Sequence, residues 1–124
     1  MITLKTTNKM ITLKTLEQAT AQQVYNHVAT HLLTQNAKSI EGDACMYHTS
    51  QGLKCAAGCL IGNDEYSINM ENTPWPYLDG IPVAHTQLIQ SLQNLHDCSS
   101  VANWPDQLRK VAGWHNLNAD VISQ

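Results

Sequence analysis

The sequence predicts a mainly α protein of the α+β class, with about three helices and a small antiparallel β-hairpin. Three observations predict it. Apolar residues recur at three- and four-residue intervals in three separate stretches, a glycine-bearing turn separates two short β-suited runs, and 124 residues are enough for one core but not for two.

Residues 1–6 and 10–15 both read MITLKT. A structural repeat runs ~20–50 residues, so this doubled string marks a short duplication around a second methionine. Residues 1–9 are expected to form a disordered or duplicated N-terminal extension, and residues 10–124 a single globular domain. Ile11-Thr12-Leu13-Lys14 alternates apolar with polar, which suits a short strand or an extended arm.

The first helix begins at Thr20. Thr20-Ala21-Gln22-Gln23 is a capping box, in which the threonine hydroxyl accepts from the third helical N–H while Gln23 reaches back to the cap. Val24, Tyr25, Val28, Ala29, Leu32 and Leu33 then follow at helical spacing, so one face docks on a core. The pattern stops at residues 35–39. Residues 45–48 and 53–55 read as the two arms of a hairpin around a turn at 49–52 that contains Gly52. The run from 55 to 61 is apolar throughout, so its periodicity is silent. Ala56-Ala57 and the stop at Gly62-Asn63-Asp64 favour a helical turn there.

Residues 62–82 carry Pro74, Pro76 and Pro82 and no clear periodicity. Compact domains seldom hold a loop of that length unless it is functional or contains short helices of its own. A second helix is predicted from about Val83 to Asp97, with His85, Leu88, Ile89, Leu92 and His96 along one stripe. The third starts with Asn103 as its cap and Pro105 in the first turn, where a missing N–H costs nothing. Leu108, Val111 and Ala112 point it inward.

Composition narrows the function. With 43% hydrophobic and 14% charged residues the chain is no disordered segment, and a net charge of −3 with scattered basic residues argues against a nucleic-acid binder. No apolar run reaches the ~20 residues of a membrane span, and residues 1–9 lack the core of a signal peptide. The expectation is a cytoplasmic protein whose four cysteines are thiols. Phe is absent, so Trp75, Trp104, Trp114 and the tyrosines carry the aromatic load, a bias that suits interfaces.

Three chemistries compete within this frame. Cys45, His48, Cys55 and Cys59 offer the soft donors that zinc takes, but the six-residue gap between the halves gives little room to wrap an ion. Cys55, beside Lys54 at the start of a helical turn, is a candidate nucleophile with His48, His85 or His96 as its base. Packed, inert thiols are the favoured reading for both sets. His27 and His31, four apart on the first helix, read as boundary histidines because no HExxH accompanies them. His85 and His96 lie about 16 Å apart along one helix and cannot share an ion.

The third chemistry is recognition. Asp64, Glu65, Glu71 and Asp79 surround Tyr66, Trp75 and Tyr77, an acidic rim with aromatic anchors. That composition suits contact with a protein or a small cationic or aromatic ligand, and equally suits aromatics that fold back over the core. Tyr66, Trp75, Tyr77 and His85 are the candidate ligand-binding residues.

The strings ATAQQVYNHVATHLLTQ, GLKCAAGCLIGNDEY and LIQSLQNLHD resemble a group of small uncharacterised proteins of bacteriophages and bacterial mobile elements, whose recurring pattern has the form C-x-Y…GLKCAxGxLIxDxxY. The resemblance implies a setting among accessory genes and a single domain, and adds no catalytic residue. The sequence therefore points to a non-enzymatic binding module for a protein or small ligand, without a cofactor or bound metal, and with a homodimer as a natural assembly. The competing class is a thiol-dependent enzyme built on Cys55.

Overall fold

The computed structural model describes residues 10–122, so the expected extension at 1–9 lies outside it. Three helices carry the core: α1 (Ala21–Gln35), α2 (Thr86–Cys98) and α3 (Trp104–Trp114). Two short strands, β1 (Ile40–Glu41) and β2 (Ala44–Cys45), pair antiparallel, with Ile40 opposite Cys45. The fold class is the one that the periodicity predicts.

Each helix forms for a local reason. Thr20 caps α1 with both bonds of the capping box in place, and Asn36 ends it in the left-handed conformation that asparagine tolerates. The buried face of α1 is Val24, Tyr25, Val28, Ala29 and Leu32. It meets Leu88, Ile89, Leu92 and Leu95 of α2, and Trp104, Leu108, Val111 and Ala112 of α3, in one cluster. Burying each large aliphatic side chain stabilises by about 1.5–3 kcal/mol. Tyr25 hydroxyl donates to the Leu108 carbonyl at 2.7 Å, and burial pushes its pKa to about 12.

The start of α2 lies three residues beyond the expected Val83. His85 occupies the cap in the left-handed region at φ 65°, and Val83 stands 86% exposed outside the helix. The His85 side chain is spent on α1's approach, its Nε2 2.7 Å from the Ala19 carbonyl. A helical His85 is replaced by a cap that fastens two segments.

The β-hairpin is displaced from its predicted place. The pairing of β1 with β2 turns at Gly42, which has φ 65°, and Asp43. The expected arms at 45–48 and 53–55 keep only a single bridge, His48 to Lys54, flanked by Thr49 N–H to Leu53 O and Cys55 N–H to Tyr47 O. Residues 55–61 do contain the expected helical turn, a 3-10 turn at Gly58–Leu60, and are buried throughout. The loop at 62–82 has short helices of its own, 3-10 turns at Ile68–Met70 and Trp75–Tyr77. Residues 11–14 form no strand: the Leu13 and Lys14 N–H groups dock on the Glu65 carboxylate at 3.0 and 3.1 Å.

Candidate ligand-binding cleft

The buried segment from 54 to 61 has little regular structure, so most of its backbone groups need side-chain partners. Helix α1 supplies a stripe for this purpose. His27, His31 and Gln35 recur every four residues and so share one face. His31 Nε2 lies 2.8 Å from the Lys54 carbonyl and His27 Nε2 3.1 Å from that of Cys59, while Gln35 both donates to Lys54 O and accepts from Lys54 N–H. His48 Nε2 reaches Gly58 O at 2.8 Å, and Gln93 Oε1 accepts from Ala57 N–H at 2.9 Å. Facing a carbonyl fixes each Nε2 as the protonated nitrogen of the ring. Burial lowers the pKa of His27, His31 and His48, so all three act as neutral donors.

Glu71 does the same work with charge. Its Oε1 accepts from Tyr47 N–H, and its Oε2 from His48 N–H and from the Tyr66 hydroxyl at 2.7 Å. Tyr66 also stacks on the His48 ring, with centroids 4.3 Å apart. Burial, then the Glu71 carboxylate, raises the Tyr66 pKa to about 12.

Between the loop carrying Glu71 and helix α2 lies a cleft of about 350 Å³. One wall is Gln90, Gln93, Asn94 and Asp97, a polar stripe at i, i+3, i+4 and i+7 on α2. Glu71, Asn72, Thr73, Pro74 and Trp75 of the loop also line the cleft, together with Cys45, Met46, Tyr47 and Cys55. Trp75 is 3% exposed, and its buried indole N–H has no hydrogen-bond partner among the described residues. Such an unpaired donor costs about 1–3 kcal/mol.

At one end of the cleft Cys45, His96 and Asp97 bring their ligand-type atoms within 4.8 Å of one another. Their hydrogen bonds define what this group is. Ser39 N–H donates to His96 Nε2 at 3.0 Å, which places the ring proton on Nδ1, 2.8 Å from Asp97 Oδ1. Gln93 Nε2 donates to the same oxygen at 2.8 Å. Burial works against ionisation of Asp97, yet the donors from His96, Cys45 and Gln93 hold its carboxyl below the usual range. A metal on Nδ1 would drive the ring proton to Nε2, against the Ser39 N–H. The donor set fits a carboxylate clasp better than an ion. The same clasp keeps Cys45 a thiol: burial and the Asp97 charge both raise its pKa.

The residues singled out by sequence fall in three places. Of the recognition set, Trp75 lines the cleft, Tyr66 braces Glu71, Tyr77 stands 76% exposed, and His85 is the cap bonded to Ala19. Of the suggested zinc ligands, Cys45 turns to Asp97, whereas His48 and the two buried cysteines cluster about the turn at 55–59. Cys55 Sγ accepts from Gly58 N–H, Cys59 donates to Ala56 O, and burial pushes the Cys55 thiol to about 12 and that of Cys59 well above its ordinary value. The three suggested bases are spent elsewhere: His48 on Gly58, His85 on Ala19, His96 on Ser39 and Asp97. The acidic rim divides similarly. Glu65 clasps the N-terminal arm and Gly62 N–H, and Asp64 pairs with Lys14.

The sequence reading missed Asn72, Gln90, Gln93 and Asn94. The available signal was the polar stripe opposite the apolar face of α2, three of whose four members are carboxamides. Comparison with protein-family models, with curated proteins and with solved structures finds no match.

Proposed function

We propose that the protein is a non-enzymatic accessory binding module that takes a small ligand in the cleft between residues 71–75 and α2. The observation that carries this reading is the cleft itself. Its volume of about 350 Å³ is in the range of small-molecule sites, and the exposed carboxamides of Asn72, Gln90 and Asn94 line it. The competing thiol-enzyme reading needs a thiolate at Cys55. Burial of that thiol, with its pKa near 12, favours the binder.

Two further parts belong to the proposal. Self-association draws support from Tyr77 and Val83, which are 76% and 86% exposed; sedimentation equilibrium reads it directly. The setting among phage or mobile-element genes is supported by the resemblance of the strings quoted above. The cleft is tested by adding a chemically diverse fragment library to ¹⁵N-labelled protein. Shifts concentrated at residues 72–75 and 90–97 are expected, and a library that leaves those signals unmoved would refute the site.

A further inference from the structure

We infer that the bond between His96 and the Ser39 main chain is an acid-released latch, which holds the β1–β2 hairpin on the end of α2 while the imidazole is neutral and lets it go when the ring takes a second proton. His96 is fully buried, and its two ring nitrogens are committed in opposite senses: Nε2 accepts from the Ser39 N–H at 3.0 Å, and Nδ1–H donates to Asp97 Oδ1 at 2.8 Å. Only a neutral ring does both. An imidazolium keeps its bond to Asp97 but turns Nε2 from acceptor into donor, so that two N–H groups face each other where the hydrogen bond was. Turning the ring over restores nothing, because both imidazolium nitrogens donate. Ser39 is itself fully buried, so its N–H reaches water only if the segment moves. The rings of His27, His31 and His48 differ in kind, since each Nε2 donates to a carbonyl and still donates when charged. Among the described residues, His96 alone accepts a backbone N–H on its ring.

The segment that the latch holds is bonded within itself. Ser39 Oγ donates to Met46 O at 2.7 Å, Met46 N–H donates to Ser39 O at 2.9 Å, and Ile40 pairs with Cys45. None of these bonds involves α2. Residues 40–45 are all exposed, so little buried surface opposes their movement. The other ties to α2 lie at its end, where Lys38 Nζ donates to Asp97 O at 3.3 Å and the Cys45 thiol donates to the Asp97 carboxylate. A charged His96 therefore has Asp97 and Cys45 beside Nδ1, Lys38 over the helix end, and from α1 His31, which burial holds neutral. Trp104 of α3 stacks on the ring, with centroids 5.5 Å apart, and brings no charge. Glu41 accepts from Ser50 N–H and Ser50 Oγ, both at 2.8 Å, and these donors hold its carboxyl below the usual range. That tie outlasts the titration of a histidine, so the far end of the hairpin stays fastened. The released form binds one proton more than the latched form, and a falling pH favours it. Cys45 and Met46 line the cleft, so release opens the cleft at Asp97 whether or not it is filled.

The test is a series on the full chain from about pH 8 to about pH 5, in which ring ¹⁵N shifts report the protonation of His96 and hydrogen exchange of the Ser39 amide, corrected for the intrinsic pH dependence of exchange, reports the latch. Protection of Ser39 is expected to fall at least about tenfold as His96 charges, while that of Leu92 inside α2 changes by less than about twofold. His96→Gln offers the Ser39 N–H a carboxamide oxygen that does not titrate, and is expected to abolish the drop. A Ser39 amide still protected against a charged His96 would overturn the inference, as would a ring that stays neutral throughout the series. Loss of protection at Ser39 and Leu92 together would mark global unfolding in place of a latch and would overturn it as well. A drop that persists in H96Q would do the same, and the native series decides by itself if H96Q does not fold.

Discussion

The helical part of the molecule and the stretch between α1 and α2 are held together by different forces. In α1, α2 and α3 the backbone satisfies itself, and apolar faces supply the cohesion: Leu32, Leu92, Trp104 and Leu108 are each fully buried. Residues 36–82 are joined by few backbone ladders. There, His27, His31, Gln35, His48, Glu71 and Gln93 satisfy the main chain one bond at a time. The first region depends on volume and the second on hydrogen-bond geometry and protonation state. That contrast teaches where the histidines belong: they are structural donors to an irregular segment that contributes Cys55 to the cleft.

Breaking the irregular region at its tightest point gives the largest expected effect. A Cβ on Gly58 would fall onto the Tyr47 carbonyl, with the carbonyl carbon 2.7 Å away, and neither is a flexible side-chain end. Gly58→Ala is expected to cost at least about 3 kcal/mol, read from the urea midpoint. An unchanged midpoint would mean that the turn sits elsewhere. Leu108→Ala in the helical region is expected to cost about 2–5 kcal/mol by cavity formation, with no dependence on pH between 5 and 8. Glu71→Ala removes a carboxylate that accepts three hydrogen bonds. It is expected to cost about 2–3 kcal/mol and to free the Tyr66 ring, visible as a drop in the Tyr66 pKa from about 12 toward the ordinary tyrosine value.

The smallest effect sharpens the comparison most. His27, His31 and His48 have folded-state pKa values below their unfolded value. Unfolded chains therefore bind more protons than folded ones once the pH falls below about 6.5, and stability declines as the pH falls further. Their contribution is complete above that pH and gone once the folded pKa is passed. His31→Gln keeps an N–H for the Lys54 carbonyl but cannot titrate. It is expected to cost less than about 1.5 kcal/mol at pH 7.5 and to flatten the decline between pH 7 and 5. A slope identical to that of the native chain would remove His31 from the account.

The same contrast decides what could be read from the sequence. The helices were legible because apolar spacing, the Thr20 capping box and Pro105 are local signals that packing reinforces. The hairpin lies away from its expected place because two-residue strands leave no periodicity to count, and no alternating run flanks the turn at Gly42-Asp43. The cysteine-rich run contains the helical turn that Ala56-Ala57 and Gly62 favour, with Cys55 and Cys59 buried in it. Its anchoring was invisible, since His27, His31 and Gln35 bond to carbonyls more than 15 residues away and side-chain identity says nothing of such partners. Trp75 stands out in composition but is buried beside the cleft, and the carboxamides of α2 leave no mark because an exposed helix face ordinarily meets only water.

The central claim is that the cysteine-bearing segment is an inert wall beside a binding cleft. Alkylation of native protein by iodoacetamide from pH 5 to 9, with mass mapping of each site, tests it most directly. Slow labelling of Cys55 and Cys59 at every pH, rising only with denaturant while exposed Cys98 reacts freely, is the predicted result. Rapid modification of Cys55 near neutrality, along a profile set by an imidazole, would contradict it.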